Sequence, residues 1–571
     1  MRLSTLPLFL LCASLAPAQE KLLDRFAPKA VPHPAGTATV GAVAQPVPSP
    51  PDDPSASLKA RGIVFVSAIP QLRSGGIAAF DGVRIEGVAM LDNDAFRARI
   101  APYLGKPVSM LLVQAISQET INYYTEHDRP VMRVTAPEQD VTSGVIQFLV
   151  TEGHVGGVQV EGNRWFKSSL FTTRLQPGDP IYKSRLDADV AWLNRNPFRR
   201  VNAELAPGQE SGTTDITIRV QDKLPLRVYA GFEDSGVEST GEHRLFGGFN
   251  WGNVFGLGHQ MGYQFTTSTE GVDVLQAHSL NYSIALPWRH ELSFLGTYAL
   301  SNPQIGDDFD LEGETWQISA RYLIPLPSIK KYDHELTLGY DFKSSNNNLQ
   351  FGGLEVFDTP VEISQFSLAY SGSLPDKLGK TTLSMAGFWS PGDMSTHNDD
   401  ESFDAARVGS QSDYFYATLG LDRITRLPLG LTWSLSAKGQ IANGNLQATE
   451  QFLLGGYATV RGYDELIASG DSGLLVRNEI YTPPFSIGKL VGRPKINDRL
   501  QFLAFHDYGY AEVSDTLEGE EGSRSLQSAG LGLRWQIREN VSFRFDYGWQ
   551  IVDLGYGEQG GRAHMGVMVS F

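Results

Sequence analysis

Two short motifs in the C-terminal half of the chain carry residues that could form a fixed ion pair. The first motif comprises Val460, Arg461, Gly462 and Tyr463, and the second comprises Phe505, Asp507 and Gly509. An arginine brings a permanent charge and five N–H donors, and a carboxylate can accept two of them in parallel. Such a pair would act as a latch, because ion pairs in wet surroundings add little stability. Taken alone, the spacing favours a simpler interpretation, in which a solvated loop arginine and a strand aspartate are unrelated.

The remaining polar residues form no recognisable catalytic pattern. The chain has 11 histidines, yet it contains no His-Glu-x-x-His, Gly-x-Ser-x-Gly or Gly-x-x-x-x-Gly-Lys-[Ser/Thr] motif. We therefore predict no catalytic residue, no metal ligand and no cofactor. Two acidic segments, residues 399–404 and 518–521, could bind calcium or form solvated loops, and such charge runs are more often solvated.

The composition points to a β-rich protein. The 571 residues include 59 glycines, only 19% are charged, and the formal net charge is −17. An acidic chain is a poor partner for phosphate backbones, so we predict no nucleic-acid binding. No apolar run of about 18 residues follows the first residues, and a membrane-spanning helix is therefore not expected. A large soluble β protein and a transmembrane β-barrel both remain open.

The N-terminus has the features of a secretory signal peptide. Arg2 precedes an apolar stretch over residues 3–15, and Ala16 and Ala18 form a small-x-small cleavage site. We predict a signal peptide over residues 1–18, which contains the chain's single cysteine, Cys12. Disulfides and cysteine metal sites are then excluded from the mature protein.

Residues 19–75 form an N-terminal segment and linker. Leu22, Leu23 and Phe26 lie at near-helical spacing and could form two helical turns over residues 19–26. Eight prolines follow within residues 27–57, which indicates a semi-rigid, extended linker. The short apolar helix could dock onto the rest of the protein, or the N-terminus could stay disordered.

An internal repeat follows the linker. Residues 82–87 (GVRIEG) match residues 157–162 (GVQVEG) at an offset of 75. Each copy is predicted as a β-α-α-β-β unit, which places two small α+β domains at residues 76–153 and 154–223. The apolar run over residues 62–66 could add a strand, but it is too short for a third domain.

From Leu224 onward, apolar and polar residues alternate with a period of two. An example is the run Leu336, Leu338, Tyr340 and Phe342, and we count 16 such strands up to Phe571. Short connections alternate with long polar ones, which are predicted at residues 301–313, 343–358, 391–412, 443–472 and 514–523. Aromatic residues near the strand ends are typical of membrane interfaces; examples are Trp316, Trp389, Trp433, Trp535 and Trp549. These features favour a 16-stranded antiparallel transmembrane barrel over residues 224–571.

The last strand ends on an aromatic residue. Gly566, Val569 and Phe571 fit the pattern of a C-terminal barrel-insertion signal, although an ordinary closing strand has similar alternation. The predicted signal peptide favours the first interpretation.

Taken together, these features resemble the outer-membrane transporters of two-partner secretion, the ShlB/FhaC/HecB-like TpsB branch of the BamA/TpsB superfamily. The repeats are similar to POTRA domains, and residues 193–208 (LNRNPFRRVNAELAPG) are similar to the segment typical of the second POTRA domain in that branch. The resemblance covers residues 76–571. It implies that Arg461 to Tyr463 form the tip of a lumenal loop, residues 443–472, and that Asp507 is its partner on the barrel wall. Residues 20–26 would correspond to a short plug helix.

The resemblance also implies a function in type V secretion. Periplasmic POTRA domains would capture an unfolded, TpsA-like and β-helical exoprotein, and the barrel would translocate it across the outer membrane. Outer-membrane lipid, the barrel-assembly machinery and periplasmic chaperones are the further partners expected. A passive porin would need no periplasmic repeats, and a barrel-assembly factor usually carries more than two. No enzymatic activity is expected.

Overall fold

The computed structural model describes residues 21–32, 58–210, 212–303, 309–351, 354–493 and 496–571. The predicted signal peptide and most of the proline-rich linker lie outside the described residues. The chain divides into two compact units. Of the described residues, one unit contains residues 58–224, and the other contains residues 21–32 together with residues 225–571.

The first unit begins with a four-stranded α+β domain. Its elements are β1 Gly62–Val66, β2 Gly82–Glu86, α1 Asp94–Ile100, α2 Met110–Glu126, β3 Met132–Thr135 and β4 Val145–Glu152. The sheet order is β2-β1-β4-β3, with β1 parallel to both of its neighbours. All five residues of β1 are buried, as expected for a strand covered on both faces. The domain therefore begins before residue 76, because the short apolar run is its central strand.

Helix α2 packs the predicted face into the core of this domain. Leu112, Ile116 and Thr120 are fully buried and Tyr123 is 5% exposed. The core also contains Phe65, Phe96 and Phe148, whose rings contact one another. The predicted helical periodicity is confirmed.

The second domain of this unit has one α-helix rather than two. Its elements are β5 His154–Glu161, α3 Lys183–Leu193, β6 Arg199–Pro207 and β7 Thr213–Asp222, in the sheet order β5-β7-β6. In the first domain, the Asn93 side chain caps α1 by accepting from Phe96 N. The matching residue, Ser168, bonds to Asn163 instead. Without that cap, the expected first helix is only the 3-10 turn Ser168–Leu170.

The second unit is built almost entirely from antiparallel strands. Its strands are β8 Leu226–Glu233, β9 Arg244–Val254, β10 His259–Ser268, β11 Leu275–Ala285, β12 Glu291–Ser301, β13 Phe309–Pro325, β14 Asp333–Phe351, β15 Leu354–Asp358, β16 Val361–Pro375, β17 Gly379–Pro391, β18 Asp413–Arg426, β19 Thr432–Ala442, β20 Phe452–Leu454, β21 Ala468–Gly470, β22 Ser472–Tyr481, β23 Asp498–Glu512, β24 Ser523–Ile537, β25 Val541–Gln550 and β26 Gly561–Ser570. Its helices are α4 Asp400–Ala406 and α5 Ile487–Leu490.

These strands close into a barrel. Neighbours in the chain pair in antiparallel register, and β26 pairs with β8 to complete the wall. The short strand β15 only extends the β14–β16 hairpin, and β20 and β21 form a separate hairpin. The described strands therefore confirm a closed 16-stranded antiparallel barrel.

Two of the predicted long loops are shorter than expected. Strand β13 begins at Phe309 and pairs with β14 as far as Phe351, so residues 309–313 of the first loop and most of residues 343–358 are strand. Residues 343–348 are polar and show no alternating pattern from which the longer strand could be predicted, because a strand outside a bilayer needs no apolar face. The backbone hydrogen bonds of the hairpin are enough to extend it.

The two faces of the barrel wall differ sharply in polarity. Outward side chains such as Ile318, Leu368 and Leu419 are more than half exposed. Inward side chains such as Gln317, Gln365 and Gln440 are polar and buried. Closure leaves no unpaired edge in such a wall, which is the condition for a lipid-exposed sheet. None of the helices in the described part of the chain is long and apolar enough to cross a membrane.

Candidate functional site in the barrel lumen

The connection between β19 and β22 folds back into the barrel. Within this lumenal loop, residues 443–472, strands β20 and β21 form a small hairpin. Apolar side chains of the loop pack against the inward wall residues Leu475, Ala511 and Leu526. These loop residues are Phe452, Leu454, Val460, Tyr463 and Ala468. This apolar contact places the tip of the loop, residues 460–463, against the wall formed by β22 to β26.

Arg461 is fully buried at this tip and makes a bidentate ion pair with Asp507. Its Nε and one terminal nitrogen lie 2.7 and 2.8 Å from the two oxygens of the Asp507 carboxylate. The other terminal nitrogen donates to Glu479 at 2.7 Å. The guanidinium also stacks on Phe505, at 3.6 Å from the ring centroid. The structure thus brings together the residues of the two motifs, which lie more than 40 positions apart in the chain.

Burial and charge act against each other at Arg461. Burial disfavours the charged guanidinium, but Asp507 and then Glu479 outweigh it and hold the pKa of Arg461 above its ordinary value. The arginine therefore stays charged at every physiological pH. Asp546 is a third carboxylate nearby, at 3.6 Å from the guanidinium.

The remaining motif residues shape the contact between loop and wall. The Tyr463 hydroxyl donates to the carbonyl of Val552 at 2.6 Å, which attaches the tip to the connection that follows β25. A Cβ on Gly509 would lie 2.8 Å from side-chain atoms of Leu454 and Val460, so only glycine allows the loop this close. All seven motif residues lie at the contact.

Several wall residues at this contact were not singled out from the sequence. Glu479, Gly548, Gln550 and His564 all touch the loop tip. Glu479 could have been found, because it shares the inward side of β22 with Arg477. Nothing in a single sequence marks a lone strand glycine or histidine as part of a loop contact.

A second buried charge cluster fixes the beginning of the loop. Glu450 is fully buried and forms an ion pair with Lys343 of β14. Its carboxylate also accepts from Tyr416 at 2.7 Å and from Gln365 at 3.1 Å. With these partners, the negative charge of Glu450 is satisfied in a site closed to solvent.

Residues 21–32, the N-terminal segment, lie in the same unit and occupy the lumen. Cations stand at every fourth position: Lys21, Arg25 and Lys29. Lys21 donates to the carbonyl of Glu450 at 2.7 Å and to Gln440 at 2.9 Å. Leu23 is buried against the wall alanines Ala277 and Ala299.

The other two cations of this segment bind acidic residues at two different places. Arg25 lies 2.5 Å from Glu465 near the end of the lumenal loop, and Lys29 lies 3.3 Å from Glu233 of β8. The expected two-turn helix over residues 19–26 is, in the described part, only the 3-10 turn Asp24–Phe26. Pro28 explains why the turn ends at Phe26, since the residue before a proline, Ala27, is pushed out of helical geometry.

The segment between β17 and β18 folds over the start of the lumenal loop. Phe403 of α4 is fully buried beside Leu446, and Arg407 lies 2.5 Å from the buried carboxylate of Asp471. The acidic residues here have local roles: Asp399 caps α4, and Asp400 accepts from the backbone and hydroxyl of Ser412. Within the described ranges, no group of three or more histidine and carboxylate side chains is placed to hold a metal.

The last strand lies at the seam of the barrel. Gly566 packs against the side chain of Arg544, and Val569 pairs with Val541 and Ala230 on either side. Phe571 is 82% exposed, and its backbone exchanges hydrogen bonds with Val228 of β8. The three residues of the predicted insertion signal thus lie along the closing strand, which ends on an exposed aromatic side chain.

Comparison with known proteins decides the family. Residues 212–535 match the model of the haemolysin secretion/activation protein ShlB/FhaC/HecB family, and residues 79–153 match the ShlB-type POTRA domain. The chain belongs to this family. It is therefore a two-partner secretion transporter of the outer membrane, and its POTRA domains lie in the periplasm.

Similar proteins agree with this assignment. The heme/hemopexin transporter HuxB of Haemophilus influenzae is 24% identical over 446 residues, 76% of each chain. The hemolysin transporter ShlB of Serratia marcescens is 23% identical over 514 residues, 86% of each chain. The structure of CdiB from Escherichia coli has a TM-score of 0.72 at 19% identity, and the match covers 92% of this chain and 94% of that chain. It shares the barrel and POTRA fold.

Proposed function

We propose that the barrel lumen is the export path of an unfolded exoprotein and that the lumenal loop blocks or admits it. The observation that carries this proposal is the fully buried Arg461, bound to Asp507 and Glu479 at the centre of the loop contact. A loop whose tip is centred on one charged residue in a polar lumen can be released as a unit. The transporter family supplies the partner class, a secreted TpsA-like protein, which we propose to be β-helical.

The POTRA domains are proposed to capture the client by adding its strands to their sheets. Strands β2 and β3 lie at the edges of the first sheet, and β5 and β6 lie at the edges of the second. Edge pairing uses backbone hydrogen bonds, so it does not require a particular client sequence. Because the chain has no nucleotide-binding motif, we propose that folding of the client outside the cell drives transport and that the transporter has no enzymatic activity.

The N-terminal segment is proposed to plug the resting pore. Its three cations bind Glu450 and Glu465 of the lumenal loop and Glu233 of the wall. Barrel-assembly machinery, reached with the help of periplasmic chaperones, would insert the barrel in outer-membrane lipid through the strand that ends at Phe571.

Co-expression with a candidate client tests the function directly. The candidate to test is a large secreted protein whose gene lies beside that of this chain, and it should reach the medium only when the transporter is present. Immunoblots of medium and periplasm measure the distribution. Export of unrelated small solutes without the client would indicate a porin, and impaired insertion of other barrels in a deletion strain would indicate an assembly factor.

Neutralising the plug should open the pore. Lys21→Gln combined with Arg25→Gln removes the ammonium group that donates to the Glu450 carbonyl and the guanidinium that pairs with the Glu465 carboxylate. Breaking a buried charge pair costs several kcal/mol, and every 1.4 kcal/mol changes a population tenfold, so the open time in planar bilayers should rise at least about tenfold. Lys377→Gln, in the exposed turn after β16, is the matched control. An unchanged open time in the double variant would contradict a plug.

A further inference from the structure

The tip of the lumenal loop also rests on strands β25 and β26, which neither motif includes. Gly462 has a φ of +90° and lies directly against the backbone of Gly548. A Cβ on Gly462 would lie 2.7 Å from the Gly548 carbonyl oxygen, and a Cβ on Gly548 would lie 2.7 Å from the Gly462 nitrogen. The two glycines are therefore a matched pair, and neither position has room for a side chain.

Both peptide groups of Gly462 are satisfied by side chains of the wall. Its N–H donates to Nε2 of the fully buried His564 at 3.0 Å, and its carbonyl accepts from Gln550 Nε2 at 2.7 Å. The hydrogen bond to His564 requires that Nε2 of its ring is unprotonated. Asp464, two residues further along the loop, forms an ion pair with Arg562 on β26.

These contacts hold the tip on strands that lie further along the wall than Asp507. The carboxylates that accept hydrogen bonds from Arg461 lie on β22 and β23, and its third carboxylate neighbour, Asp546 at 3.6 Å, lies on β25. The hydrogen-bond partners of Gly462 lie on β25 and β26. The hydrogen bonds of two consecutive residues thus span the wall from β22 to β26. Fixing the backbone at Gly462 determines where the Arg461 side chain starts and hence whether it reaches Asp507.

We propose that Gly548, Gln550 and His564 form a tip seat that positions the lumenal loop for export. They are positioning residues, since they act on the loop backbone and leave the ion pair itself untouched. This inference rests on the proposed role of the loop in export. The tip seat can be tested separately from export, because it determines whether the loop tip stays in its closed position against the wall.

A cysteine probe in the loop measures the seat independently of export. The chain's single cysteine, Cys12, lies in the predicted signal peptide, and Val460 is fully buried, so Val460→Cys gives one protected thiol. In this background, Gly548→Ala and His564→Phe should each speed labelling by a polar maleimide at least about tenfold, because a buried hydrogen bond or close contact is lost. Heat-modifiable migration on gels confirms that each barrel is folded.

Two further variants separate a positioning role from general damage. His564→Gln places an amide oxygen near the position of Nε2 and should restore slow labelling. Gly296→Ala, at an outward strand glycine with no atom within 4 Å of the added Cβ, should label like the parent. If an unfolded barrel prevents the use of Gly548→Ala, Gln550→Leu replaces it with the same expectation.

The outcomes distinguish the seat from the proposed function. Labelling at the parental rate in the folded Gly548→Ala and His564→Phe variants would overturn the tip seat. Faster labelling with unchanged export would keep the seat and reject the proposed role of the loop in transport. Faster labelling with reduced export, both reversed in His564→Gln, is the expected result.

Discussion

Replacing Arg461 with alanine should abolish export of the client while leaving a folded barrel in the outer membrane. The variant leaves Asp507, Glu479 and Asp546 facing a site from which their shared cation is missing. Removing one partner of a buried pair costs about 3–5 kcal/mol. That cost falls on the loop contact, because the barrel wall is held by its own strand ladder.

Asp507→Ala should have the same effect for the reciprocal reason. It leaves a buried guanidinium with Glu479 as its nearest remaining partner. Asp507→Asn keeps the shape but loses the charge, and we expect intermediate export. Reversing the pair, with Arg461→Asp and Asp507→Arg together, should not restore export, because Glu479 would then face a carboxylate on the loop.

Export is measured as client in the culture medium, and folding as heat-modifiable migration of the barrel. Arg524→Ala is the matched control, since Arg524 of β24 forms a solvent-accessible pair with Glu521. The latch would be ruled out if both Arg461→Ala and Asp507→Ala exported at more than half of the parental level.

Deleting residues 58–223 should stop export completely and still leave a pore. These residues contain both POTRA sheets, which offer the only strand edges that we assign to client capture. The barrel and the N-terminal segment form a compact unit of their own, so the deletion removes no barrel strand. The deletion begins at residue 58 because β1 is the central strand of the first sheet.

Two measurements decide this prediction. Client in the medium should fall to background, about 100-fold or more, and purified protein should still form channels in planar bilayers. Arg461→Ala analysed in parallel shows whether the two defects lie at different steps, because only the deletion should also abolish binding of the client by the periplasmic domains. Normal export by the shortened protein would instead favour a porin.

The fold could be predicted well wherever a bilayer or a core imposes a pattern. Lipid requires one apolar face on each strand, so alternation revealed the barrel, and helix α2 showed its buried face in the same way. Beyond the bilayer this requirement ends, and the extension of β13 and β14 was missed. The central strand β1 was recognised as a strand but placed outside the domain, because an apolar run does not show which sheet contains it.

The site could be predicted only in part. The two motifs identified Arg461 and Asp507, but their spacing contained no information about contact. The ion pairs of Lys343 and Arg25 join residues more than 100 positions apart, and no local pattern connects such partners. Gly548 and His564 have no distinguishing neighbours in the sequence, and only the folded wall shows their relation to Gly462.

The position of the N-terminal segment also has a consequence for the order of folding. Its bonds join residues 21 and 25 to residues 440–465, more than 400 positions later in the chain. Contacts between residues so far apart in the sequence form slowly. The contacts of this segment can form only after β19 has paired with β22 and the lumenal loop has folded into the barrel. The segment therefore finds its binding partners only in a nearly finished molecule, and a lumen occupied by its own N-terminus marks a barrel whose assembly is complete.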